Sequence, residues 1–362
     1  MSHKKYSVID RRKECRRRNI YFNAPLSVPL STSLRLVQSD PSTVSLEDIA
    51  NKHCEELGVD NITPILNYIE KLKAVSKPED SVSPFRIIVS NLMKYKETTT
   101  LSLKMEIIEE IANKYVPEDV LTKYMNRCAN SPSEFWMLRK QMTNQIATLI
   151  FMTYSFCIAH RQPHRIMITP STGAVHTTDV IPGSINQECQ LSNPESVPFR
   201  LTPNLQHYLT SIGIEGLLVS SIVSLGRCLT EPQYDLENQL NLFVREDVSS
   251  WFTNQRRQNP SDSEVRKCIQ QNVDGIVARA TVLGCKYERE QFNQNQGNAN
   301  NQKVIPACQS VLELIAKATN PIELAKMDPQ WAPVSNSFDL ISILTNLPSG
   351  FNHVINSNYT YE

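Results

Sequence analysis

From Gln141 to Ala159 the chain carries nineteen consecutive residues without a charge. A helix uncharged on every face has to be wrapped by other elements. The stretch also holds Gln141, Thr143, Asn144, Gln145, Thr148, Thr153 and Ser155, too many polar groups for a membrane span. It therefore reads as the second half of a buried, central helix. Its start is legible as well. Ser131-Pro132-Ser133-Glu134 supplies a capping hydroxyl, a proline at the first helical position and an acid at the third, which predicts a helix from 131 to about 158.

At 362 residues the chain is long enough for about two or three units with real cores. Hydrophobic residues make up 40% and glycine only 10 positions, which favours helix-rich structure over all-β folds and over nucleotide folds built on glycine-rich loops. Lys plus Arg and Asp plus Glu both total 37, so net charge gives no general argument for a nucleic-acid partner. One local cluster stands out: eight of the residues from Lys4 to Arg18 are Lys or Arg, either a solvated face or a phosphate-binding or nuclear-import patch. Met1–Arg18 has no apolar run of the secretory type. The nine cysteines stand at least 17 positions apart, with no C-x-x-C pair. The expectation is thiols in a reducing compartment, with no disulfide frame and no zinc finger.

The rest of the chain is mainly helical text with a small β portion. Ile20 to Val37, broken by Pro25 and Pro29, reads as two short strands, the only strand region before residue 165. Ser45-Leu46-Glu47-Asp48 is a capping box for a helix over 46–57 that Gly58 stops. Thr63-Pro64 opens another, and residues 101–115 set Leu103, Ile107, Ile108 and Ile111 on one stripe. Ile166–Thr169 and Ala174–Ile181, joined at Ser171-Thr172-Gly173, predict a hairpin. Thr202-Pro203 starts a helix that Gly213 stops, followed by helices over about 215–230 and 236–252. Residues 254–303, rich in Asn and Gln, read as a linker with no core of their own. A short helical pattern returns at 304–333.

Cys157, His160, His164 and His176 raise a zinc site, but Pro163 breaks the helix that would align His160 with His164, and no second cysteine pair is present. The order of elements says more. A long buried helix, then Ala159-His160-Arg161-Gln162-Pro163-His164-Arg165, a hairpin, Thr178-Asp179-Val180-Ile181, and a loop into Val197-Pro198-Phe199-Arg200-Leu201-Thr202-Pro203 resembles the carboxyl-terminal lobe of the phosphatidylinositol-3-kinase-related kinases. In active members the first segment is like Gly-Asp-Arg-His-Pro-Ser-Asn and the second is Asp-Phe-Gly, supplying the phosphoryl-transfer Asp and the Mg²⁺ ligands. By that resemblance Arg161 and Pro163 match, His160 stands for the Asp, Gln162 for the His and Arg165 for the metal-binding Asn. Val180-Ile181 stand for Phe-Gly, and Asp179 alone survives.

An arginine at the Asn position puts a fixed cation beside a Mg²⁺ site, where like charges repel. His160 offers neither fixed negative charge nor carboxylate geometry for orienting a hydroxyl. The first glycine is Gly58, so a glycine-rich phosphate loop is absent. The reading is a pseudokinase with degenerate positions at His160, Gln162, Arg165 and Asp179, with no catalytic residue, cofactor or metal. An active Ser/Thr or phosphoinositide kinase of the same family is the alternative.

Arg11–Cys15, Val28–Ser31, Leu34–Val37, Val197–Asn204 and Met327-Asp328-Pro329-Gln330-Trp331-Ala332-Pro333 resemble the non-catalytic, transformation/transcription-domain-associated branch of the family. That resemblance implies a nuclear scaffold for histone acetyltransferase coactivator complexes of the SAGA type, with transcription activators reached mainly through upstream regions, no membrane, and direct nucleic-acid binding left open. It divides the chain into a basic segment with remnant strands of the amino lobe or hinge (1–40), a kinase-like carboxyl lobe (41–255) and an Asn/Gln-rich linker (256–303). A FATC module (304–333) follows, with Met327, Asp328, Pro329, Trp331 and Pro333 as its packing motif, and then an atypical tail (334–362). The chain reads as a carboxyl-terminal fragment.

Overall fold

The central helix runs from Pro132 to Ser155, and its polar residues explain how the surrounding chain is arranged. The computed structural model describes residues 13–23, 25, 27–30, 34–60, 63–75, 101–158, 161–178, 180, 182–183, 185–193, 197–230, 237–254, 261–284, 306–321 and 323. Within these, the helices are α1 (Lys13–Arg18), α2 (Leu46–Glu56), α3 (Thr63–Val75), α4 (Leu101–Tyr115), α5 (Val120–Cys128) and α6 (Pro132–Ser155). They continue with α7 (Pro203–Thr210), α8 (Val219–Leu229), α9 (Glu237–Asn254), α10 (Asp262–Gly284) and α11 (Pro306–Ala318). Five short strands complete the mainly helical fold: β1 (Ser27–Pro29), β2 (Arg35–Val37), β3 (Val44–Ser45), β4 (Ile166–Thr169) and β5 (Ala174–Thr177).

The start of α6 follows its local sequence. Ser131 Oγ accepts from Glu134 N at 3.2 Å, and Glu134 Oε2 accepts from Asn130 N at 2.7 Å. Along the helix Thr143, Asn144, Gln145, Thr148 and Thr153 are all buried. The threonines satisfy themselves on the carbonyl one turn back, Thr143 on Arg139 O at 2.8 Å and Thr153 on Leu149 O at 2.7 Å. The amides reach outward. Asn144 Nδ2 donates to Arg18 O at 2.6 Å, Gln145 Nε2 to Tyr21 O at 3.2 Å, and Asn19 Nδ2 donates to Gln141 Oε1 at 2.8 Å. The polar residues of α6 thus hold the backbone of residues 18–21, while Cys15 and Ile20 enter the main core beside them. Arg16 and Arg17 stay exposed on α1.

The sheet packs on α6. Strands β3, β4 and β5 form an antiparallel set in that order, with Ile166 opposite Thr177 and Thr169 opposite Ala174. The turn between β4 and β5 is the expected one. Gly173 has φ +69°, and a Cβ there would stand 2.7 Å from Leu138 O of α6, so both backbone hand and close approach require glycine. Strand β3 was not expected. Its two residues pair with Met167 and Ile168, and Ser45 then caps α2 through the predicted box, accepting from Asp48 N at 3.0 Å. Strands β1 and β2 pair only with each other among the described residues. After α7, Gly213 at φ +93° leads into a π-helical turn, Gly213–Leu218, that runs on into α8.

One expectation is overturned. Residues 262–284, placed in the linker, form the 23-residue helix α10, whose Val273, Ile276, Ala280 and Leu283 lie in the main core. The apolar positions follow a helical period; the Asn- and Gln-rich text after residue 284 masks them when the whole segment is averaged. Helices α8 and α10 cross at Gly226 and Gly284, so closely that a Cβ on Gly226 would lie 2.6 Å from Gly284 N. Helix α11 packs on the same pair through Val311, Ile315 and Ala318. No single helix among the described residues is long and apolar enough to cross a membrane.

Since neither backbone can yield without separating the helices, Gly226→Ala should destabilise the chain by about 1–3 kcal/mol, the usual cost of overpacking. A urea melt followed by far-UV circular dichroism checks this, and an unchanged midpoint would refute the close crossing.

Candidate functional site

The segment that leaves α6 does so through a strained residue. Cys157 takes φ +49°, a conformation that costs most residues free energy, and this turns the chain out of the helix at Ser155. The strand-like exit is held from the other side of the hairpin: Ile158 bridges Pro182, and Gly183 N donates to Cys157 O at 2.6 Å. Gly183 has no room for a side chain, since its Cβ would stand 2.6 Å from Ser192 O. A one-turn 3₁₀ helix, Pro163–Arg165, follows, and Arg165 O accepts from Thr178 N at 3.0 Å. These contacts bring the chain on either side of residues 160 and 179 together. His160 and Asp179 themselves lie outside the described residues.

The expected positions that are described do structural tasks. Arg161 is 3% exposed, and its Nη2 donates to Asn193 Oδ1 at 2.8 Å and to Val197 O at 3.3 Å. It ties the loop after α6 to the segment leading into α7. Gln162 is half-buried, and its Oε1 has no hydrogen-bond partner among the described residues. His164 Nδ1 stands 3.5 Å from Glu47 Oε2 of α2. Arg165 is half-buried at the entrance to β4. The considered zinc ligands go to different neighbours: Cys157 Sγ to Leu191 O at 3.8 Å, His164 to Glu47, and His176 Nδ1 to Asn23 Nδ2 at 3.5 Å. Among the described residues no group of three His, Cys, Asp or Glu side chains is placed to hold a metal ion.

A cleft opens where these elements meet. Phe22 and Asn23 form one wall, Gln145 and Met152 of α6 the floor, and His176 and Val180 the other wall. Its described lining is apolar or neutral, with no carboxylate and no Lys or Arg. The depression has room for about one water molecule, so it is a small indentation in the packing with no space for a larger group.

Sequence reasoning missed two asparagines that join distant parts of the chain, Asn272 beside the site and Asn204 away from it. Asn272 of α10, 3% exposed, accepts from Leu191 N at 2.6 Å and donates to Cys189 O and Cys268 O, both at 2.8 Å. Asn204 of α7 accepts from Leu121 N at 3.1 Å and donates to Pro117 O at 3.1 Å, capping α5 from a distance because Asp119 gives no side-chain cap. Only the buried position of an amide on a helical stripe hints at such roles. Arg139 is buried with its guanidinium over the rings of Phe135, at 4.6 Å, and Tyr208, at 4.9 Å, which touch each other edge to face; burial pushes the Tyr208 hydroxyl's pKa far up. Met327, Asp328, Pro329, Trp331 and Pro333 lie outside the described residues.

His53 and His176 are held below the ordinary imidazole range, chiefly because burial disfavours the charged ring. The unfolded chain then binds more protons as pH falls below about 6.5, so the folded state should be fully stable above that pH and lose stability as pH drops through it. Urea midpoints should decline between pH 7.5 and 5, and the double variant His53→Gln, His176→Gln should flatten the decline. A wild-type midpoint independent of pH across that range would contradict the assignment.

Comparison with known proteins agrees with the order of elements. The family model described as phosphatidylinositol 3- and 4-kinase matches residues 6–253. The SAGA complex/NuA4 acetyltransferase complex subunit TRA1 of Saccharomyces cerevisiae is 29% identical over 338 residues, covering 88% of this chain and 8% of the relative. The transformation/transcription domain-associated protein of Homo sapiens is 24% identical over 337 residues, covering 90% of this chain and 8% of the relative. This is the branch to which the runs at 197–204 and 327–333 pointed. Among solved structures, the FAT and kinase domain of CtTel1 shares the fold, with a TM-score of 0.55 and 16% identity over 90% of this chain and 20% of that one. The chain thus spans about a twelfth of the length of these curated relatives. With well over half of its residues matched by the family model, the chain belongs to the phosphatidylinositol 3- and 4-kinase family.

Proposed function

We propose that this chain is the pseudokinase lobe of a scaffold subunit in histone acetyltransferase coactivator complexes. The observation that carries the reading is its likeness, over 88% of its length, to a protein named as a subunit of the SAGA and NuA4 acetyltransferase complexes. In this reading the lobe offers helical faces to neighbouring subunits in the nucleus, an acetyltransferase carried elsewhere does the chemistry, and activators are engaged mainly by upstream parts of the longer protein. His160, Gln162 and Arg165 replace the groups that active relatives use, and Asp179 remains without its partners. Met327, Asp328, Pro329 and Pro333 would pack a FATC module on the lobe, with Trp331 as its anchor, since large aromatics dominate burial. Helix α10 would count with the lobe, leaving the linker to begin after Gly284.

An active kinase is the second reading, favoured by the family model and by the acid at position 179. Affinity purification of the tagged chain from nuclear extract, with mass spectrometry and a Mg-ATP phosphotransfer assay on the same eluate, separates the two. The scaffold reading expects acetyltransferase-complex subunits and no phosphotransfer that changes in His160→Ala or Arg165→Ala. Phosphotransfer abolished by His160→Ala, without those subunits, would overturn it.

A further inference from the structure

The loop over 185–193 meets α10 at Asn272, and within it Cys189 N donates to Asn186 O at 3.0 Å. Ile185 bridges Leu191, and Asn186 N donates to Gln190 O at 2.9 Å. Asn186 Oδ1 accepts from Glu188 N at 3.0 Å and Gln190 N at 2.9 Å. A two-stranded turn of this size does not persist alone in water. It also contains a residue in the left-handed region, Cys189 at φ +60°, which adds a conformational cost that something else must offset.

Ties from outside the loop offset it: Leu191 enters the main core with Cys157 Sγ 3.8 Å from its carbonyl, and two hydrogen-bonding side chains add to that hold. At the carboxyl end Arg161 grips Asn193 and Val197. In the middle stands Asn272, whose amide offers an acceptor to Leu191 N and two donors to Cys189 O and Cys268 O, so that one buried side chain joins the loop to its own helix. Neither an aspartate, which lacks donors when ionised, nor an apolar residue could make that set. Cys189 itself packs not in the main core but in a small separate cluster with Val248 and Phe252 of α9.

We propose that Asn272 is a latch: it holds the loop over 185–193 closed on α10, and its release opens the loop and uncovers Cys189 while the helical core around α6 stays folded. The loop is therefore a unit of local opening with its own equilibrium, in which a residue far along the chain supplies the central tie. The proposal concerns the lobe's own motion and does not depend on which partners the lobe binds.

Hydrogen exchange with mass spectrometry on the full chain tests it, together with alkylation of Cys189 by N-ethylmaleimide. In Asn272→Ala, exchange of the Leu191 amide and alkylation of Cys189 should both rise about ten- to a hundredfold, as expected when a buried polar group loses its partner. Peptides within 142–152 should keep wild-type exchange. In Asn204→Ala, which weakens a distant cap, the loop should not respond in this way. Unchanged exchange at Leu191 in a folded Asn272→Ala protein, or an equal rise over 142–152, would overturn the latch. Should Asn272→Ala not fold, exchange of the wild type in low urea decides: Leu191 opening at lower urea than residues 142–152 supports the latch, and the two opening together refutes it.

Discussion

The amide side chains on the buried half of α6 set the terms for everything around them. Asn144 and Gln145 are 2% and 1% exposed, and a buried amide without partners would cost more than the fold can spare. Their partners are the carbonyls of Arg18 and Tyr21 and the hydroxyl of Ser221, which donates to Asn144 Oδ1 at 3.0 Å. One side chain thus joins three separate parts of the chain: the basic amino-terminal segment, the central helix and α8. That is why Cys15 and Ile20 can sit in the core although the residues between and around them are basic, and why Phe22 and Asn23 come to form a wall of the cleft.

The same logic repeats further out, where asparagine and glycine do what apolar packing cannot. Asn204 supplies the cap that α5 lacks locally, and Asn272 joins α10 to the loop that follows the hairpin. Gly226 and Gly284 let α8 and α10 approach to backbone contact. Arg161 belongs with them. In a site read only from its motif it would count as a remnant of catalysis, yet its hydrogen bonds run to Asn193 and Val197, within the protein's own scaffold.

What the sequence disclosed and what it hid divide along one physical line. Signals complete within a few residues were legible: the capping box at Ser45, the Ser131-Pro132 start, the Gly173 turn and the order of helix, loop and hairpin that identified the lobe. Features that depend on residues distant in sequence were not. Strand β3 is only two residues long and exists because β4 offers it an edge. Helix α10 does have a local stripe, but the polar text beside it swamped the average. In the site, the positions that the resemblance implies are replaced came from a short motif, whereas the partners of Arg161 and Asn272 depend on chain crossings that no local pattern encodes.

In the proposed function this lobe keeps the fold of a kinase and serves by binding, with the metal-dependent chemistry gone. Titration calorimetry of ATP into the full chain, with and without Mg²⁺, tests that most directly. A lobe without metal-dependent chemistry should show no nucleotide affinity that depends on Mg²⁺. Saturable nucleotide binding that requires Mg²⁺ and is lost in His160→Ala would contradict it.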